Sequence, residues 1–137
     1  MNILITGCLG TVGLATTDFL LKNSDYNIIG IDNYLTNPID RIQNINYNNK
    51  KFSFYNNESC PIDNIFKNNN IDVILHFAAL VGNSESMRKP IDYINNNITF
   101  TTILLEKARE YGVRRFIFSS SSTVYGTNSR LYNTEDD

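Results

Sequence analysis

The sequence predicts an α/β domain built on a doubly wound parallel sheet of about five strands in the order 3-2-1-4-5, with helices on both faces. Three observations carry this expectation. Short apolar runs alternate with segments of helical spacing, the pattern of parallel strands joined by crossovers. Glycines cluster directly after the first apolar run. The length, 137 residues, is that of one domain with a substantial core.

The elements follow in order. Residues 3–6 are apolar and end at Gly7, and from there a helical pattern sets Val12, Ala15, Phe19 and Leu20 on one face. Residues 27–31 form a second apolar run ending in Asp32, and 51–55 a third, weaker one. Between them, 36–49 is rich in asparagine, with Pro38 near a short helix start and Ile39, Ile42 and Ile45 spaced by three. Residues 62–68 read as a short helix, and 71–75 and 115–119 as buried strands. The stretch 90–111 carries Ile94, Ile98, Leu105 and Ala108 at helical spacing, and Gly112 supplies its stop. Phe100, Ile103 and Leu104 fall outside that expected core face.

Composition excludes several classes. Twelve Lys and Arg against fourteen Asp and Glu leave a net charge of −2, so no basic field marks nucleic acid or an anionic membrane. The longest mainly apolar stretch, 73–82, contains His76 and is too short to cross a bilayer. Met1 and Asn2 run straight into an apolar strand with no basic start, so a secretory leader is not expected. Cys8 and Cys60 make neither a disulfide framework nor a metal pattern, which predicts a reduced, cytoplasmic setting. His76 is the only histidine and has no acidic cluster beside it, so no metal site is expected. No G-x-S-x-G elbow is present to support serine hydrolysis. The 21 asparagines cluster mostly where loops are expected, standing on the surface in place of charges.

Gly7, Gly10 and Gly13 form G-x-x-G-x-x-G between the first strand and the first helix. Glycine is needed there for a sharp turn, a close approach to a pyrophosphate, and helix–sheet packing without an intervening Cβ. The helix N-terminus then presents free N–H groups and the positive end of its dipole. Asp32 stands 19 residues beyond Gly13, where a carboxylate accepts from an adenosine ribose and repels a 2′-phosphate. No Arg or Lys lies between residues 28 and 40, so NAD is expected over NADP. Two later segments, His76-Phe77-Ala78-Ala79 and 118–126 with its four serines, sit at carboxyl ends of strands, where open α/β sheets bind ligands.

Taken together, these residues resemble the extended short-chain dehydrogenase/reductase family, in its NAD-dependent epimerase/dehydratase branch that acts on sugar nucleotides, UDP-sugar 4-epimerases in particular. The matching elements come in family order along essentially the whole chain: Thr6-Gly7-x-x-Gly10-x-x-Gly13, Asp32-Asn33, Asp72-Val73-Ile74 leading into His76-Phe77-Ala78-Ala79, Pro90, Asn97-Ile98, Ser120-Ser121-x-x-Val124-Tyr125-Gly126, and Thr134-Glu135-Asp136.

The resemblance implies a Rossmann-like NAD(P)-binding domain over residues 1–137, with the substrate domain absent from the chain. It implies that Gly7, Gly10, Thr11, Val12 and Gly13 form the pyrophosphate turn and that Asp32 with Asn33 meets the adenosine ribose. Phe77, Ala78 and Ala79 would line the ribose and nicotinamide side, Ser119 would also bind the cofactor, and Asn97 would support it from the long helix. Ser121 matches the catalytic serine that bonds the sugar hydroxyl being oxidised, while Tyr125 belongs to a structural V-Y-G. The partners implied are NAD and a nucleotide sugar, a UDP-sugar first, and a second copy paired through helix 90–111.

Departures refine the reading. Asn57-Glu58-Ser59 replaces the family's adenine-contacting aspartate, and Phe100 stands where glycine is usual. Ser122-Thr123 replaces the Asp-Glu of dehydratases, which favours epimerisation. The family's Tyr-x-x-x-Lys pair, whose lysine lowers the tyrosine pKa for proton abstraction, has no match: no Lys follows Lys107. The expected function is thus the NAD-binding portion of a nucleotide-sugar epimerase, inactive alone. The alternatives are a non-catalytic NAD-binding module or sensor, and a fragment of a sugar-nucleotide dehydratase or reductase.

Overall fold

The computed structural model describes residues 1–36, 39–45, 50–57, 60–126 and 132–136. Its centre is a five-stranded parallel sheet in the expected order β3-β2-β1-β4-β5, formed by Asn2–Thr6 (β1), Asn27–Asp32 (β2), Phe52–Asn56 (β3), Val73–His76 (β4) and Arg115–Phe118 (β5). The helices are Thr11–Asn23 (α1), Ile62–Asn68 (α2), Asn83–Arg88 (α3), Pro90–Tyr93 (α4) and Phe100–Glu110 (α5). Short 3₁₀ segments lie at Ile39–Asn44 and Ser122–Tyr125. The three-residue spacing of Ile39, Ile42 and Ile45 matches the 3₁₀ period, and Ile45 is buried. Pro38, Glu58 and Ser59 lie outside the described residues.

Period-two side-chain alternation splits the core in two. Ile3, Ile5, Ile28, Phe52 and Val73 face one side, where Leu9, Leu21 and Ile45 cover them. Leu4, Ile29, Ile31 and Ile74 face the other, beneath Ile65, Phe66, Leu104 and Ala108 from α2 and α5. Burial on both faces explains why the inner strands β1, β2 and β4 read as continuous apolar runs, whereas β5, expected to be buried, is an edge strand on which Ile117 and Phe118 are at least half exposed.

Two expected helix faces also need correction. On α1 the buried positions are Gly13, Thr17 and Leu21, while Val12 and Phe19 are exposed. The missing Cβ at Gly13 lets the helix sit on the turn before it, and that contact rolls the buried stripe away from the apolar one. The second is the stretch 90–111, which is not one continuous α-helix: Ile94–Thr99 is a π-helical turn between α4 and α5, with the Phe100 N–H bonded to the Asn95 carbonyl five residues back. Phe100, Leu104 and Ala108 face the core, whereas Ile94, Ile98 and Leu105 are exposed. Polar Asn97 and Thr101 take the inward positions of the front half, which removes the apolar period from the sequence.

Candidate functional site

All strands end on one edge of the sheet, and the order reverses between β1 and β4. Such a switch point opens a crevice between the loops that leave the two strands in opposite directions. Here one wall is the turn 7–10 after β1, the second the loop after β2, and the third the loop after β4.

The turn is built by glycine. Gly7 adopts φ +67°, and a Cβ on it would lie 2.8 Å from the Ala78 nitrogen, so the loops after β1 and β4 touch backbone to backbone. At Gly13 a Cβ would fall 2.1 Å from the Gly7 carbonyl oxygen. Helix α1 follows Gly10 at its N-cap, with no side-chain cap and no acidic residue in its first turn. Its first N–H groups and its positive dipole end are left for an anion in the cleft, whose floor includes Gly7, Gly10, Thr11, Val12 and Gly13 and whose volume is about 630 Å³. The residues present therefore fit a dinucleotide pyrophosphate.

Asp32 is buried at the end of β2. One carboxylate oxygen accepts from the Leu9 N–H and the other from the Tyr34 N–H, both at 3.0 Å. Tyr34 has φ +60°, a left-handed conformation that costs a non-glycine residue about 1–2 kcal/mol, and its ring stacks on Phe54 at 5.7 Å. Asp32 and Asn33 line the crevice next to the glycine turn, together with Asn57, whose N–H donates to the Asp32 carbonyl at 3.0 Å. Cys8, behind the turn, is buried and free, and burial pushes its thiol pKa up, which leaves it an inert packing group. Cys60 is also free.

Phe77, Ala78 and Ala79 form a strip shared with a second cleft of about 590 Å³, which also includes Asn97, Ser119 and Ser121. Asn97 does its work through the main chain: its side-chain oxygen accepts from the Leu80 N–H and its amide donates to the Leu80 carbonyl, each at 2.8 Å. Ser121 is exposed and caps the 3₁₀ turn that follows, accepting from the Thr123 N–H at 3.3 Å and the Thr123 hydroxyl at 2.9 Å. Every site residue expected from sequence thus lines the crevice or one of the two clefts adjoining it.

Sequence reasoning missed a further wall. Glu85 from α3, Asp92 and Tyr93 from α4, and Lys89 between the two helices close the first cleft, with Tyr93 donating its hydroxyl proton to the Val81 carbonyl at 2.8 Å. The (i, i+4) spacing of Glu85 and Lys89, which pair at 2.9 Å, is visible in the sequence, but its position over the cleft depends on the tertiary fold. Among the described residues no group of His, Cys, Asp or Glu could hold a metal, and no helix is long and apolar enough to cross a membrane.

Comparison with known proteins agrees with this geometry. The model of the NAD dependent epimerase/dehydratase family matches residues 3–137. UDP-glucose 4-epimerase of Bacillus subtilis is 37% identical over 140 residues, covering 99% of this chain and 41% of its own length. The enzyme of the same name from Caenorhabditis elegans is 36% identical over 147 residues, covering 98% and 42%. The chain therefore spans about two-fifths of the length of these relatives. Among solved structures, UDP-glucose 4-epimerase from Bifidobacterium longum, in complex with NAD+ and UDP, superposes with a TM-score of 0.88 at 35% identity, covering 99% of this chain and 42% of that one. The UDP-Glc/GlcNAc 4-epimerase of Campylobacter jejuni gives 0.87 at 32% identity, covering 98% and 41%. The ordered glycine turn, acidic β2 end and β4–β5 loops, with a family model matching nearly the whole chain, place this protein in the NAD dependent epimerase/dehydratase family.

Proposed function

We propose that this chain is the NAD-binding portion of a UDP-sugar 4-epimerase. The observation that carries the reading is the uncapped α1 N-terminus beside a buried carboxylate at the end of β2, within a fold shared with a UDP-glucose 4-epimerase holding NAD+ and UDP. The turn at Gly7, Gly10 and the first residues of α1 binds the pyrophosphate. Asp32 and Asn33 take the adenosine ribose, and the carboxylate discriminates against a 2′-phosphate by like-charge repulsion. Phe77, Ala78, Ala79 and Ser119 face the nicotinamide end, and Asn97 sets the path of the loop that carries them.

NAD, when bound, supplies a hydride acceptor that can return the hydride to the opposite face of the sugar carbon. Ser121 orients the sugar hydroxyl at which oxidation occurs, from its exposed position in the second cleft. Proton abstraction belongs to a Tyr-x-x-x-Lys pair that these residues do not contain, so the chain alone binds NAD without turnover. The free cysteines accord with a reduced, cytoplasmic setting. Two copies pair through the exposed Ile91, Ile94, Ile98 and Leu105 on the segment 90–111.

Calorimetric titration tests the reading. NAD binds, NADP binds at least tenfold more weakly, and a coupled assay finds no interconversion of UDP-glucose and UDP-galactose by this chain. Absence of NAD binding would remove the proposal, and turnover would remove its second half. A module or sensor predicts the same binding, but no activity in any longer chain that restores the Tyr-x-x-x-Lys pair.

A further inference from the structure

We propose that His76 is a positioning residue for the dinucleotide cleft: as the neutral Nε2–H tautomer it carries a one-way hydrogen-bond chain tying the end of β1, and the loop after β4, to the helical segment that holds Asn97. The inference rests on the NAD-binding reading for its effect on affinity, and on geometry alone for the chain itself.

His76 ends β4, is 1% exposed, and has both ring nitrogens engaged. Nδ1 lies 2.6 Å from the Thr6 hydroxyl, and Nε2 lies 2.8 Å from the Thr101 hydroxyl. The neighbours decide the tautomer. The Thr101 hydroxyl donates its only proton to the Asn97 carbonyl at 2.7 Å, so toward the ring it can only accept, and Nε2 must carry the hydrogen. Nδ1 is then the acceptor, and Thr6 donates to it. The Thr6 oxygen in turn accepts from the Ala78 N–H at 3.2 Å. Every donor points the same way, from Ala78 through Thr6, His76 and Thr101 to the Asn97 carbonyl.

The opposite tautomer leaves two acceptors facing each other at Nε2. Phe100, Phe116 and Phe118 pack against the buried ring with centroids at 6.0, 5.8 and 5.6 Å. The groups facing it are Thr6 from β1, Thr101 and Phe100 from α5, and Phe116 and Phe118 from β5, none of which titrates. Burial holds the imidazole pKa down, to about 4, in keeping with a neutral ring at physiological pH.

What the chain positions is the strip shared by the two clefts. Ala78 is held at one point through Thr6, and Leu80 at a second by the Asn97 side chain. Both anchors meet at one imidazole, so a break on either side releases the same loop.

Two measurements decide this. As His76 is the only histidine, the ¹⁵N-labelled imidazole gives a single spectrum. It should show the neutral Nε2–H pattern at pH 7, with or without NAD. An Nδ1–H ring or a fast-exchanging average overturns the chain. In NAD titrations, Thr6→Val and Thr101→Val should each weaken binding about tenfold, and the double variant should also be about tenfold weaker, since either one breaks the same chain. Independent, multiplying losses or unaltered affinity overturn the positioning role, whereas a fold defect alone lowers the melting temperature without this non-additivity. Should Thr6→Val not fold, Thr101→Val alone against His76→Gln, which keeps a donor toward Thr101 but no acceptor toward Thr6, carries the same comparison. If the wild-type chain does not bind NAD, the functional reading falls with the affinity arm, and the tautomer still decides the chain.

Discussion

The carboxylate of Asp32 accepts a hydrogen bond from the backbone N–H of Leu9, 3.0 Å away and 23 residues earlier in the chain, while its other oxygen accepts from the N–H of Tyr34. One side chain therefore fastens the turn after β1 to the loop after β2. Replacing it with alanine strands a buried N–H in the glycine turn and frees the left-handed Tyr34. Each lost bond to a charged acceptor costs about 1.5–3 kcal/mol. Asp32→Ala should lower the melting temperature by several degrees and weaken NAD at least tenfold. Asp32→Asn, keeping one acceptor and losing the charge, should fall between and narrow the preference for NAD over NADP, read by calorimetry.

Glycine to alanine should have very different costs at two positions. At Gly13 the added methyl meets the Gly7 carbonyl oxygen at 2.1 Å, a backbone clash that nothing nearby can relieve, so the turn and α1 must part. Gly13→Ala should lose about 3 kcal/mol or more and all NAD binding. At Gly112 nothing lies within 4 Å, and only the positive φ of 66° opposes a side chain. Gly112→Ala should cost about 1 kcal/mol and leave affinity unchanged, as measured by urea unfolding and titration.

Acid should find His76 before it finds the carboxylates. Its pKa falls from 6.5 to about 4 on folding because burial disfavours the charged ring. Between those values the unfolded chain binds the extra proton, so the stabilisation is complete above pH 6.5 and is lost as pH falls toward 4, up to about 3 kcal/mol in total. Asp72, held low by the Asn2 N–H and Arg114, loses its contribution only below its ordinary 3.8. Melting temperatures should decline from pH 6.5 to 4.5 in the wild-type chain and much less in His76→Asn.

Ser121 should be separable from the fold. It is exposed and caps one turn of 3₁₀ helix, so Ser121→Ala should shift stability by no more than about 0.5 kcal/mol. NAD affinity should stay within twofold, since the role proposed for the serine is toward the sugar rather than the dinucleotide. A large loss of NAD binding in this variant would assign it a different role.

Much of this protein was legible because its sequence obeys local rules. Residues 62–68 were placed to the residue, and the strand order followed from the alternation of apolar runs and helices. The glycine turn and Asp32 announce their cleft because backbone sterics leave few other residues free to occupy those positions. What escaped notice was tertiary. The inward face of the segment 90–111 is polar where it meets Leu80 and His76, so Ile94 and Ile98 advertised a core that they do not enter. Tyr34 has no sequence signature of a left-handed residue; its conformation is imposed by Asp32 and by the Phe54 ring. His76 looked like a bland buried histidine, and only the direction of its neighbours' protons shows what it joins.

The π-helical turn at Ile94–Thr99 amounts to one surplus residue stored inside a helix. Its front half is phased to the clefts through Asn97, and its back half to the core through Leu104 and Ala108. A six-residue turn lets both phases coexist in one rod. Deleting any one residue between 94 and 99 would restore an ordinary α-helix and turn one half by about 100° against the other. The protein would then have to give up either its grip on Leu80 or the seat of α5 on the sheet, so this short stretch of asparagines sets the relative timing of two surfaces that local propensity alone would never bring into step.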